Sequence, residues 1–100
     1  MNSEKWSLSL TGIADGQLSA ILTRALTWGQ QELIRTAAYA IYGILLTSPR
    51  EWGELLRHLS AMRMTVRNAA VLPLYVEFGV HDEQPLVVIR RFRWMSAPDE

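Results

Sequence analysis

Apolar and polar residues alternate through the last third of the chain. Three segments, Met62–Arg67, Leu74–Val80 and Leu86–Trp94, place mainly apolar side chains at even-numbered positions. Because successive side chains of a strand point to opposite faces, the alternation predicts three strands that share one buried face. The odd-numbered positions then form a presented face. Its polar members are expected to be Arg63, Arg67, Tyr75, Glu77, Arg91 and Arg93.

Arg90 interrupts the apolar series of the third segment. Two interpretations are open. Either the Arg90 side chain leaves the core at its edge, or a β-bulge after Ile89 shifts the register of the strand. A bulge is expected to exchange the faces on which Arg91 and Arg93 lie.

The residues before these strands follow a helical period. A short strand over Lys5–Leu10 precedes an amphipathic helix that starts after Asp15, its expected N-cap, and ends near Trp28 and Gly29. A second helix is predicted from about Gln30 to Leu45, because its apolar residues lie on one stripe.

The stretch Ser48-Pro49-Arg50-Glu51 has the residues of a helix start, with serine as cap, proline at the first position and glutamate three residues after the cap. It predicts a short third helix from Pro49 to about Leu59. The element order then gives an α+β fold, in which a helical hairpin packs on one face of a small, largely antiparallel four-stranded sheet. One domain is expected over residues 1–95, followed by a disordered tail over residues 96–100.

The composition sets limits on the chemistry. The 100 residues include no cysteine, which excludes disulfides and thiolate metal sites. The two histidines are far apart in sequence, so neither a metal nor a cofactor is expected. The N-terminus lacks the features of a signal peptide and no segment is suited to crossing a membrane, so a cytoplasmic location is expected.

The net charge of zero is unlike that of a dedicated nucleic-acid binder, but the charges are segregated. No acidic residue lies between Glu54 and Glu77, whereas three arginines and a histidine do. Arginines that converge on one sheet face are typical of a surface for anions or for an acidic partner; the alternative is a solvated face that keeps the domain soluble. The candidate binding residues beside the arginines of the last strands are Arg63, Tyr75, Glu77 and His58.

Three stretches and the order of the elements resemble the RelE/ParE superfamily of toxins from bacterial type II toxin–antitoxin pairs. The stretches are the first strand Trp6–Thr11, the junction Leu45–Glu54 and the closing strands Val66–Phe92. In the junction, proline and glycine bracket the end of the second helix as they do in the family.

The resemblance implies an antitoxin partner that lays a helix or strand on the helical hairpin or across the basic face. It also implies one of two targets, because RelE-like members cleave mRNA in the ribosomal A site whereas ParE-like members poison DNA gyrase. RelE-like cleavage uses a ribose 2′-hydroxyl as nucleophile and needs cations around the phosphorane. The positions that match such catalytic cations here are Arg67, Arg91 and Arg93.

The chain departs from the mRNA-cleaving members at two points. No histidine or tyrosine follows Trp94, and Lys5 is the only lysine. The second hypothesis is therefore a non-catalytic protein-binding module on the same fold, either a degenerate toxin or a member of the gyrase-inhibitor type.

Overall fold

The structure is a computed structural model that describes residues 5–96. It contains two helices, five strands and a 3₁₀ turn between the second and third strands. In chain order the elements are β1 Ser7–Leu10, α1 Gly12–Thr27, α2 Gln31–Leu45, β2 Glu54–Leu59, the 3₁₀ turn Ser60–Met62, β3 Met64–Val71, β4 Leu74–His81 and β5 Leu86–Trp94. Of the tail predicted to be disordered, residues 97–100 lie outside the described residues.

The strands form one sheet in the order β1-β5-β4-β3-β2. β1 runs parallel to β5, and every other neighbouring pair is antiparallel. The predicted α+β class and the helical hairpin on a largely antiparallel sheet are confirmed. The sheet has five strands rather than four, because β2 was not among the predicted strands.

Both helices pack on one side of the sheet, which we call the helix face. Its centre is the even-numbered side of β4, where Leu74, Val76 and Phe78 are fully buried. The two helices contribute Ile21, Ile34, Ile41 and Leu45 to the same apolar cluster, together with several buried alanines. The side of the sheet that carries Tyr75 and Glu77 is called the open face.

α1 begins one turn earlier than the sequence predicted. Its N-cap is Thr11, whose side-chain oxygen accepts a hydrogen bond of 3.1 Å from the backbone N–H of Ala14. Asp15 lies inside the first turn, where its charge is favourable to the helix dipole. The prediction of Asp15 as cap is wrong because Thr11 lies at the junction of strand and helix, three residues before an available amide.

The helix predicted from Pro49 to Leu59 is wrong. The backbone N–H of Glu51 donates to the carbonyl of Ser48 at 3.3 Å in a turn, and Gly53 then takes a φ of +81° just before β2. β2 pairs with β3, which would otherwise present an unpaired edge. Pairing across the sheet outweighs a local helix-start pattern that requires no tertiary contact.

The even-numbered residues of the three predicted strands do not share one face. β3 pairs with β4 so that Thr65 lies opposite Val80 and Arg67 lies opposite Phe78. Directly opposite residues lie on the same face of a sheet, so the odd-numbered side of β3 is on the helix face. Alternation within a strand does not specify its register against the next strand, and an offset of one residue reverses the assignment.

A β-bulge at Arg90 reverses the parity of β5 halfway along. Phe78 pairs with Ile89 and Glu77 pairs with Arg91, which leaves Arg90 as the extra residue. The bulge interpretation is confirmed, although its effect is opposite to the one expected. It keeps Arg91 and Arg93 on the open face and moves Leu86 and Val88 there. The buried side chains of β5 are Val87, Ile89, Phe92 and Trp94.

Candidate functional site: the arginine face of the sheet

The open face carries a cluster of four arginines around one tyrosine and one carboxylate, which we call the arginine face. It draws on β2, β4 and β5, because cross-strand register brings their polar residues onto one side. The arginine face consists of Arg57, Tyr75, Glu77, Arg90, Arg91 and Arg93.

Glu77 lies at the centre of the arginine face and is its most buried polar residue, with 8% of its surface exposed. Its Oε2 is 3.6 Å from Nη2 of Arg57 and 3.8 Å from Nε of Arg90. Both distances are too long for direct hydrogen bonds but short enough for strong electrostatic attraction. The carboxylate therefore lies between two guanidinium groups and balances part of their positive charge.

Tyr75 forms a second contact group at one end of the arginine face. Its hydroxyl accepts a hydrogen bond of 3.2 Å from Nδ2 of Asn68, and the Arg93 guanidinium lies 4.9 Å from the ring centroid. This cation–π contact fixes the direction of an exposed arginine. Arg91, the cross-strand neighbour of Glu77, is also exposed. Arg91 and Arg93 are thus presented to solvent, as is Arg57, whose side chain is 48% exposed.

Gly79 allows long side chains to lie flat on the open face. A Cβ at this position would be 2.9 Å from the Met64 sulfur and 3.9 Å from Cδ of Arg90. Met64 packs on Gly79 and is therefore buried, although it lies on the open face, away from the helices. The Arg90 stem also passes near Gly79, and its Nε lies 3.8 Å from Oε2 of Glu77.

Arg67 does not belong to the arginine face. Its cross-strand partner Phe78 is on the helix face, and its guanidinium donates from Nε to the carbonyl of Trp52 at 2.7 Å and from Nη2 to the carbonyl of Gly53 at 3.0 Å. The Trp52 ring stacks on Phe78 with 5.6 Å between the centroids. The sheet therefore separates Arg67 from Arg91 and Arg93, and the expectation that these three side chains share one face is wrong.

Arg63 is also outside the arginine face. It lies between the 3₁₀ turn and β3 with a left-handed φ of +51°, and its Nη1 is 2.7 Å from Oε1 of Glu83. The prediction that it lies on the presented face fails because the chain has not yet entered β3 at this residue. The ion pair is largely exposed and contributes little to stability.

His58 contacts a different group of residues from the one expected. Its Nε2 is 2.7 Å from Oδ2 of Asp82, and the Thr65 hydroxyl donates to the other carboxylate oxygen at 3.0 Å. The hydrogen bond from His58 is the main cause that lowers the pKa of Asp82 below its ordinary value. His58 pairs with Thr65 and so lies on the helix face, away from Arg91 and Arg93.

A cavity of about 240 Å³ lies beside this group, where the helix face extends beyond the helical hairpin. It contains two arginines, a histidine and a carboxylate. The lining residues are Arg50, Thr65, Arg67, Val80, His81 and Asp82. This cavity could not be predicted from the sequence, because its residues come from three separate segments and share no spacing.

Two residues of the arginine face were also missed. Arg57 lies in the segment predicted to be helical, and Arg90 was interpreted either as leaving the core at its edge or as marking a bulge, not as a binding residue. Its position at the predicted bulge was the one available signal, since bulges often redirect a side chain. Within residues 5–96 no group of three or more histidine, aspartate or glutamate side chains is placed to hold a metal ion. No helix in this range is long and apolar enough to cross a membrane.

Comparison with known proteins finds a solved structure with a similar fold. No protein-family model and no curated protein matches the sequence. Among solved structures, a two-helix hairpin on such a sheet recurs in a chain of the chromosomal ParDE TA (toxin–antitoxin) system from P. aeruginosa. The two chains align with a TM-score of 0.64 at 16% identity, over 94% of this chain and 100% of the other. The likeness confirms the fold that the resemblance to the RelE/ParE superfamily implied.

Proposed function

We propose that this chain is the toxin of a type II toxin–antitoxin pair and that an antitoxin neutralises it. The observation that carries the proposal is the shared fold over 94% of the chain with a component of a ParDE system.

The arginine face is the proposed contact surface for the antitoxin. Arg91 and Arg93 are exposed on β5, and the apolar residues Leu86 and Val88 precede them on the same face. Arginines beside apolar side chains are enriched in protein interfaces, and guanidinium groups bind carboxylates with two parallel hydrogen bonds. An acidic, amphipathic antitoxin segment has the matching chemistry.

Within the toxin class we favour a member that acts by binding a protein over one that cleaves mRNA. Cleavage requires several cations around one phosphate. Arg67 is on the helix face and donates to two carbonyls, while Arg57 and Arg90 lie beside the Glu77 carboxylate. On the open face the Glu77 carboxylate lies among the arginines and would repel a phosphate.

The proposal is tested by induced expression in bacteria, with and without the small acidic open reading frame expected directly beside this gene. Growth arrest that the neighbour relieves supports the toxin assignment, and normal growth while folded protein accumulates contradicts it. Primer extension on cellular mRNA and a gyrase supercoiling assay separate the two modes of action. New mRNA ends that disappear in Arg91→Ala would contradict the protein-binding mode.

A matched pair of charge reversals tests the surface. Arg91→Glu changes the exposed centre of the arginine face, whereas Arg35→Glu makes the same change on α2, where Arg35 is 3.5 Å from Glu32. We expect Arg91→Glu to weaken antitoxin binding about tenfold or more, and Arg35→Glu to leave it within about twofold. Equal effects of the two reversals on the dissociation constant would exclude the arginine face as the contact surface.

A further inference from the structure

The sheet ends at β2, which has a neighbouring strand on one side only. β2 pairs with β3 and is the last strand in the sheet order. No other strand within residues 5–96 lies beside its outer edge, so the backbone N–H and C=O groups on that side have no partner strand. An edge of this kind accepts a further strand, because its backbone supplies a row of hydrogen-bond donors and acceptors.

β2 also exposes apolar side chains along this edge. Five of its six residues are exposed, and Leu55 and Leu56 have 64% and 42% of their surface accessible to solvent. Lysine and proline, which often protect an edge strand, are absent from Glu54–Leu59. At the opposite edge, the exposed residues of β1 are Ser7 and Ser9. β2 is therefore the edge at which pairing would bury apolar surface.

A bulge in β2 brings two opposite charges onto the same face of the strand. Glu54 lies opposite Asn68 of β3. Arg57 lies opposite Val66, and both of these β3 residues are on the open face. Glu54 and Arg57 share that face although they are three positions apart, because Leu56 is the extra residue of the bulge. The edge therefore has an acid and a base on one face, separated by two exposed leucines.

This order of residues is complementary to itself when two copies run antiparallel. A two-fold axis between Leu55 and Leu56 places Glu54 of each copy opposite Arg57 of the other, and each leucine opposite a leucine. An axis through Leu56 would instead place Leu55 opposite Arg57, and an axis through Arg57 would place two arginines together. Charge complementarity therefore selects the first register. The net charge of the chain is zero, so long-range repulsion does not oppose the approach of a second copy.

We propose that β2 pairs antiparallel with β2 of a second copy of this chain, which gives a symmetric dimer. The two sheets join into one sheet with five strands from each copy. The two-fold axis is perpendicular to this sheet, so both arginine faces lie on the same side of the dimer. Arg57 then lies between Glu54 of the second copy and its own Glu77, whose Oε2 is 3.6 Å from Nη2 of Arg57. The inference concerns the chain alone and does not rest on the toxin assignment.

Sedimentation equilibrium of the purified chain, without an antitoxin, tests whether the dimer forms. We expect the mass to rise with concentration from 11.4 kDa toward twice that value. A single pair of short strands is a small interface, so we expect a dissociation constant on the order of 10–100 µM. A mass that stays at 11.4 kDa well above this concentration would overturn the proposal.

Amide hydrogen exchange locates the contact between the two copies. We expect the amides of β2 to exchange more slowly as the protein concentration rises, and those of the other edge strand, β1, to be unaffected. Concentration-dependent protection confined to the helices would assign the contact to the helical hairpin and overturn the proposal. Protection of β2 that appears only after an antitoxin is added would assign the edge to a strand of that partner, which also contradicts pairing with a second copy.

A matched pair of leucine substitutions tests the apolar part of the interface. Leu55→Lys places a charge within the proposed strand pair, whereas Leu26→Lys makes the same change on α1, where Leu26 is 65% exposed and Leu55 is 64% exposed. We expect Leu55→Lys to weaken self-association about tenfold or more, and Leu26→Lys to leave it within about twofold. Equal effects of the two substitutions would exclude β2 as the contact.

A charge exchange tests the register. Glu54→Arg and Arg57→Glu should each weaken self-association about tenfold, because each places like charges opposite one another at both ends of the strand pair. An equimolar mixture of the two variants should form a mixed dimer as strong as the wild-type dimer within about threefold, because every facing pair again has opposite charges. A chain with both substitutions should also dimerise, for the same reason. Misfolding cannot produce either rescue, and folded variants that show neither would overturn the proposed pairing.

Discussion

A methyl group at Gly53 is expected to disrupt the junction that holds β2 against β3. Gly53 has a φ of +81°, in the left-handed region, and a Cβ there would overlap the backbone oxygen of Asn68. The obstructing atom is backbone in the neighbouring strand, so it cannot rotate away. Gly53→Ala must therefore move one strand relative to the other.

The expected loss has two parts. The left-handed conformation costs an alanine about 1–2 kcal/mol. Relieving the contact requires a shift of about 1 Å, which weakens the pairing of Glu54 with Asn68 by about 1 kcal/mol per hydrogen bond. The shift also moves the Gly53 carbonyl, which accepts from Arg67 at 3.0 Å. We expect a total loss of about 3–4 kcal/mol in the free energy of unfolding.

Thermal unfolding followed by circular dichroism measures this loss. For a domain of this size, about 3 kcal/mol lowers the melting temperature by roughly 12–24 °C. Gly29→Ala is the matched control, because Gly29 has a φ of +68° but nothing within 4 Å of its Cβ position. It should lose only the conformational part, about 1–2 kcal/mol. If both variants lose the same stability, the steric contact with Asn68 has no energetic weight and the reasoning is refuted.

Three further predictions concern other parts of the fold. Trp52→Ala removes the ring that stacks on Phe78. Because Trp52 is only partly buried, we expect urea denaturation to show a loss of about 2–3 kcal/mol in the free energy of unfolding. A loss below about 1 kcal/mol would contradict the stacking role. Gly16 lies inside α1 and has open space at its Cβ position. Gly16→Ala should therefore raise the free energy of unfolding by about 0.5–1 kcal/mol, which a higher melting temperature would show. The hydrogen bond from His58 lowers the pKa of Asp82 in the folded state below its ordinary value of 3.8. The ionised Asp82 therefore stabilises the fold above pH 3.8, and this stabilisation is lost as the pH falls through the lowered pKa of the folded state. Melting of the wild type and Asp82→Asn from pH 7 to pH 2 should therefore converge below pH 3.8, and a constant gap would be inconsistent with this linkage.

The local pattern was sufficient for the helical hairpin and for the existence of three strands. α2 was predicted from about Gln30 and begins at Gln31, because an apolar stripe at helical spacing is a property of the segment itself. Two of the predicted strand segments were Leu74–Val80 and Leu86–Trp94, and in the structure β4 ends at His81 and β5 begins at Leu86. Each of these features depends on residues that are neighbours in the sequence.

β2 could not be predicted in the same way. Its residues Leu55 and Leu56 are exposed, so no buried stripe distinguishes a strand from a helix in this segment. What fixes β2 is the edge of β3, which supplies the backbone partners. The residues Ser48–Glu51 before it do favour a helix start locally, but in the folded chain they form a turn.

The sequence by itself determined that the chain has a buried apolar layer and a presented polar one, because the alternation of β4 and the helical stripes leave few other ways to bury apolar residues. The tertiary structure decided which charged residues meet. A one-residue offset between β3 and β4 places Arg67 on the helix face, and the bulge at Arg90 keeps Arg91 and Arg93 on the open face. Side chains alternate with a period of two, so the register between strands, which no single strand encodes, divided the arginines between the open face and the helix face.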